Sequence, residues 1–173
     1  MALFKNGAFI EDEWRFPTDE DAVPGDGPVV LGKERFLAER HALAGHNGPL
    51  GLLLKTGETL DGLDEHINHF SLIVLDIPKY NDGRAYSTAR ILRDRHGFRG
   101  ELRAQGDVLR DQINALHRCG FDALEVTHPG TIEALRTGAV VFVHEHYQPA
   151  SLQEGEDRPN PLRRRLRVTL GEA

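Results

Sequence analysis

The chain has 173 residues, 39% of them hydrophobic, and a net charge of −6. That length supports one domain with a substantial core, and the acidic balance argues against a general nucleic-acid binder. No run approaches the roughly 18 apolar residues of a membrane span, and no basic-then-apolar secretory pattern opens the chain. The lone Cys119 excludes an internal disulfide framework and a CxxC redox pair. The expectation is a cytoplasmic protein with neither nucleic-acid nor membrane partners.

The first element is a β-hairpin over residues 3–16. Asn6-Gly7 favours a tight primed turn between two short apolar segments. Residues 17–28, rich in proline, glycine and acids, read as a loop. From Pro28 a repeating pattern begins. Strand Pro28–Leu31 precedes a helix over Lys33–Ala44, spaced through Phe36, Leu37, Ala42 and Leu43. Strand Leu50–Lys55 precedes a helix around Leu60–His69.

The third strand is Ser71–Ile77, followed by a helix over Gly83–His96. Strand Glu101–Gln105 leads to a helix over Asp107–Cys119, and strand Asp122–Val126 to a short helix over Thr131–Arg136. Val140–Val143 forms a sixth strand. Strands alternating with helices at this spacing predict βαβ crossovers and a mostly parallel α/β sheet of about six units. An open sheet and a partial barrel both satisfy the pattern. Residues 1–149 form the single domain and 150–173 a flexible tail, with Arg163-Arg164-Arg165 in it and a short Leu166–Leu170 run able to dock as an edge strand.

Both architectures place ligands at the carboxyl ends of the parallel strands. That rule directs attention to residues 76–84, 104–107 and 126–130. The segment Pro78-Lys79-Tyr80-Asn81-Asp82-Gly83-Arg84 joins a buried strand to a helix N-terminus, whose free N–H groups suit an anion, and Arg84 adds a planar fork. Asp82 caps the helix that Gly83 opens for geometric reasons, and Asp107 does the same after Gly106. Arg84, Ser87 and Arg90 recur every three residues and share a side of the helix. The surrounding region is basic: Arg84 to Arg118 holds eight arginines against Asp94, Glu101, Asp107 and Asp111. Solvated helix faces explain most of these charges.

Other constellations are weaker. His144 and His146 flank Glu145, and His66 and His69 are helical neighbours, but pairs do not make a metal site, so no metal is expected. Glu125, late in a strand, has the position of a general base. Cys119 reads as a small buried residue. No GxGxxG fingerprint, GxxxxGK[ST] loop or G-x-S-x-G elbow occurs, so no cofactor is evident.

The segment from Phe70 to Phe121 resembles the DUF934 family of bacterial proteins. The likeness is carried by Asp82-Gly83-Arg84, Tyr86-Ser87, Ala89-Arg90, Gly100-Glu101-Leu102-Arg103-Ala104, Gly106-Asp107-Val108-Leu109, Asp111-Gln112 and Arg118-Cys119-Gly120-Phe121-Asp122. Ala85 stands where members often carry glycine. The resemblance implies a companion of assimilatory sulfite reductase or another sulfate-assimilation enzyme, and the family carries an oxidoreductase label. The absence of a dithiol or redox-cofactor motif favours an accessory role that binds the reductase or a small oxyanion. The alternatives are a small-molecule enzyme using Asp76, Asp82, Arg84, Arg103 and Asp107, and a scaffold or homo-oligomerisation module. The candidate ligand-binding residues are Asp82, Gly83, Arg84, Tyr86, Ser87, Arg90, Arg103, Gly106 and Asp107.

Overall fold

A computed structural model describes residues 2–141. Strands β1 (Ala2–Lys5) and β2 (Ala8–Ile10) form the expected hairpin, which ends at Ile10 and not at residue 16. Asn6 (φ 51) and Gly7 (φ 81) both lie in the left-handed region, as a primed turn requires. Then come β3 (Val29–Gly32), α1 (Lys33–Glu39), β4 (Leu50–Leu54) and β5 (Leu72–Ile77). The chain continues through α2 (Arg84–Asp94), β6 (Glu101–Gly106), α3 (Ile113–Arg118), β7 (Ala123–Val126) and α4 (Pro129–Arg136).

The strands form one sheet in the order β2-β1-β7-β6-β5-β4-β3. β3 to β7 are mutually parallel, and the hairpin adds antiparallel strands beside β7. The mostly parallel α/β expectation therefore holds. The helices that follow β3, β5, β6 and β7 lie on one side of the sheet. Phe36 of α1, Ala89 and Leu92 of α2, Ile113 and Leu116 of α3 and Leu135 of α4 share one core with Leu31, Leu52, Ile73, Leu75, Leu102, Ala104 and Leu124 of the strands. The opposite face carries a separate small cluster, Val30, Leu72 and Val74, packed by Trp14 and Leu53. No described helix contributes to it.

That helix-free face is concave. β2 lies at one edge of the sheet and β3 at the other, six strand spacings or about 29 Å apart if the sheet were flat. Yet Arg15 already lies along β3: Val30 N donates to its carbonyl at 2.8 Å, and its N donates to Pro28 O at 3.1 Å. Five residue steps from Ile10 can span only about 17 Å. The sheet must therefore roll up, with residues 11–15 running along the chord. Asp12 meets Arg103 and Trp14 packs against the cluster of Val30, Leu72 and Val74, so the chord crosses the helix-free side. The two alternatives left by the sequence merge: the sheet is open in its hydrogen bonding and barrel-like in its curvature.

Three expectations need correction. Leu60–His69 is not a helix but a chain of tight turns ending in the 3-10 turn Ile67–His69. Gly62, at φ 79, interrupts the run, while Leu63 and Ile67 still reach the core from the turns. The helix expected over Asp107–Cys119 begins later, as a 3-10 turn Arg110–Gln112 and then α3. Val140 and Val141 are not in a strand, and the rest of the expected sixth strand lies outside the described residues. So do His144, Glu145, His146 and the expected tail.

Candidate functional site

β5 delivers the loop of residues 78–83 to the carboxyl edge of the sheet. The loop closes on itself through Asp82 N to Lys79 O at 2.9 Å. It is held from the next crossover, as the consecutive βα units imply. Tyr80 N donates to Asp107 Oδ2 at 3.0 Å, and Gln112 Nε2 donates to Tyr80 O at 2.5 Å. Asp107 therefore does not cap a helix. Its carboxylate pins the neighbouring loop, and Gln112 satisfies Leu109 N instead, at 2.9 Å. Gly106, at φ 110, lets this happen: a Cβ there would stand 2.4 Å from Ile77 O, which accepts from Asp107 N at 2.7 Å.

Asp82 sits before the α2 N-cap and accepts from Arg84 N at 3.1 Å, Arg84 Nε at 3.0 Å and Arg84 Nη2 at 2.6 Å. These bonds hold the Asp82 carboxyl at about 2, far below its ordinary value, and push the Arg84 guanidinium up. Gly83, by contrast, has an ordinary helical φ of −82 and open space around it, so no backbone geometry requires glycine there.

The Arg84 fork borders a groove of about 490 Å³ between α2 and the turn after β4. Lys55, Thr56, Ser87 and Thr88 line it with Arg84, and Glu58, Asp61 and Asp64 supply opposing charge. The expected one-sided triplet is split. Arg84 and Ser87 share the groove, whereas Arg90 pairs with Asp94 at 3.6 Å and exerts its field on Cys119. Tyr86 turns inward toward Gln112. Burial, then the nearby Cys119 and Asp111, raise its hydroxyl. Burial likewise raises the Cys119 thiol, which disfavours a thiolate nucleophile.

Arg103 is not in this groove. β6 alternates polar and apolar residues, so Leu102 and Ala104 face the helices while Glu101, Arg103 and Gln105 face the concave side. Arg103 is only 1% exposed; it donates to Asp12 at 2.6 and 3.3 Å and to Glu101 at 3.0 Å. Lys5 completes the set at 2.6 Å from Glu101. Arg103 therefore anchors the crossing segment under the rolled sheet.

One step nearer the carboxyl ends, a second concave row forms. Asp76 pairs in register with Gln105, and the next position of the β6–β7 register sets Glu125 beside Gln105. Glu125 is 5% exposed. Burial raises its carboxyl, with Asp12 adding to the effect and Arg103 opposing it. Asp76 is raised too, first by burial and then by Asp82, against Lys55. Gln105 escapes a reading for charged residues. Its signal is the strict polar alternation Glu101, Arg103, Gln105 within an otherwise buried strand.

The Glu125 shift has a sign that can be checked. A carboxyl raised on folding binds protons more readily in the native state, so stability falls as pH climbs above the ordinary glutamate value. Replacing Glu125 with glutamine is expected to stabilise the protein at pH 8 and to leave it nearly unchanged at pH 4. Urea unfolding at both pH values measures this, and a loss of stability at pH 8 would refute it.

Among the described residues, no helix is long and apolar enough to cross a membrane. Comparison with curated proteins gives no match. A family model described as a bacterial protein of unknown function, DUF934, matches residues 51–157, more than half of the chain, from the second residue of β4 through α4. The chain belongs to the DUF934 family.

Proposed function

We propose that this chain is a cytoplasmic accessory protein of assimilatory sulfite reduction whose groove beside α2 meets the reductase or a small sulfur oxyanion. The resemblance motivates the pathway. The observation that carries the site is the Arg84 fork, whose side chain is 64% exposed at a groove it shares with Lys55 and the hydroxyl side chains of Thr56, Thr59, Ser87 and Thr88. Guanidinium and hydroxyl donors at the first turns of an eleven-residue helix match the planar and tetrahedral oxygens of such anions.

Asp82 occupies the fork and stays ionised at any ordinary pH, so it acts as an internal competitor. An incoming oxyanion must take over its bonds. Calorimetric titration with sulfite and with sulfate tests this. Asp82→Asn is expected to bind about tenfold more tightly than wild type, equivalent to about 1.4 kcal/mol, and Arg84→Ala to lose binding. A pull-down with the reductase tests the partner reading with the same variants. Silence of the wild type in both assays would remove the proposal.

A further inference from the structure

The Asp76–Gln105–Glu125 row has an excess of acceptors. Gln105 Oε1 is buried without a hydrogen bond. Glu125 is 95% buried by the same measure that leaves it 5% exposed, and its carboxylate has no hydrogen bond or ion pair among the described residues. Nor does the Asp76 carboxylate. Of the cations nearby, Arg103 gives its N–H groups to Asp12 and Glu101 and Lys5 pairs with Glu101, while Lys55 and the amino terminus act on Asp76 and Glu125 through their fields, without a hydrogen bond. Asp76 is half-buried and open to water, but leaving the buried Gln105 Oε1 and the buried Glu125 side chain without a bonded donor is costly to the fold, which makes them informative.

Position strengthens the point. Each of the three residues is the penultimate residue of its strand, on the concave face and at the carboxyl end of three adjacent parallel strands. In rolled parallel sheets that end is where ligands are held.

We propose that Asp76, Gln105 and Glu125 form a binding site for a small organic cation bearing several N–H donors, a guanidinium or a short diamine. Spacing selects this class over a metal ion. Asp76 and Glu125 stand on strands about 9.6 Å apart with Gln105 between them. An elongated cation spans that row with a donor for each acceptor, whereas a single ion needs the ligands to converge. Among the described residues, no three His, Cys, Asp or Glu side chains are placed to hold a metal. The site lies on the opposite face of the sheet from α2, and although Asp76 feels Asp82 and Lys55, the amine titration reads it separately from the oxyanion titration.

Calorimetry of the full chain with agmatine and with putrescine, and separately with magnesium chloride, tests the assignment. Saturable binding of at least one amine is expected, weakened about tenfold or more in Glu125→Gln and in Asp76→Asn. Thermal melts of both variants confirm folding, and Glu125→Gln is expected to be no less stable than wild type near neutral pH. Lost binding in a fully folded variant then reports recognition. Absence of saturable amine binding, equal affinity in folded variants, or binding of magnesium with exclusion of the amines would each overturn the proposal.

Discussion

Arg93→Ala is expected to destabilise the fold by about 3–5 kcal/mol, the usual cost of removing one member of a buried ion pair. Arg93 is 2% exposed although it belongs to a surface helix. Its guanidinium donates to Gly120 O at 3.0 Å, Phe98 O at 2.7 Å, Gly100 O at 2.9 Å and Asp122 Oδ2 at 2.5 Å. One side chain thus ties α2 to the chain entering β6 and to the chain entering β7. Truncation would leave three carbonyls without this donor and take a cation from the half-buried Asp122 carboxylate.

Burial already raises the Asp122 carboxyl despite Arg93, and losing Arg93 would raise it further. The raised carboxyl is a cost that grows as pH rises above the ordinary aspartate value of 3.8 and vanishes below it. The deficit of Arg93→Ala should therefore be larger at pH 7 than at pH 3. Urea unfolding at both values measures it, with Arg93→Lys expected between the two because an ammonium cannot fork among four acceptors. A deficit below about 1 kcal/mol at pH 7 would show that the network is dispensable, since surface pairs reach only that size.

Gly106→Ala is expected to cost about 2–4 kcal/mol, from a strained backbone together with a steric clash. The added Cβ would meet a backbone oxygen, Ile77 O, at 2.4 Å, and neither strand can retreat without breaking the β5–β6 ladder. Gly138→Ala separates the two causes. Gly138 also has a positive φ, 68, but nothing stands within 4 Å of its added Cβ. Its cost should be limited to strain, about 1 kcal/mol. Equal costs at the two positions, measured by thermal unfolding, would refute the close-contact account of Gly106. Because Gly106 also positions Asp107 against the 78–83 loop, its variant should weaken any ligand that uses Arg84.

Local chemistry was legible where neighbours in sequence decide it. Asn6-Gly7 specifies its turn, four of the five parallel strands announce themselves as short, mostly apolar runs between turn signals, and β6 announces itself by alternation. The reading failed where a local signal has two solutions. Leu60, Leu63 and Ile67 carry helical spacing, yet tight turns bury Leu63 and Ile67 equally well once Gly62 adopts a positive φ. Asp107 after glycine looks like a cap, but a backbone N–H from a segment 27 residues away claims its carboxylate.

Arg103 and its neighbours show the larger limit. The alternation of Glu101, Arg103 and Gln105 states only that β6 has one polar face; ordinarily such a face meets water. Here it lies inside a rolled sheet, because Arg15 joins the far edge only five residues after β2 ends. The sequence by itself determined the five parallel strands, their mostly parallel direction and the charged loop before α2, since periodicity and turn residues act over short spans. Only the tertiary structure decided that the polar face is the concave one and that Asp76, Gln105 and Glu125 stand in a row. Curvature and register depend on pairings between residues far apart in the chain, and no local pattern encodes them.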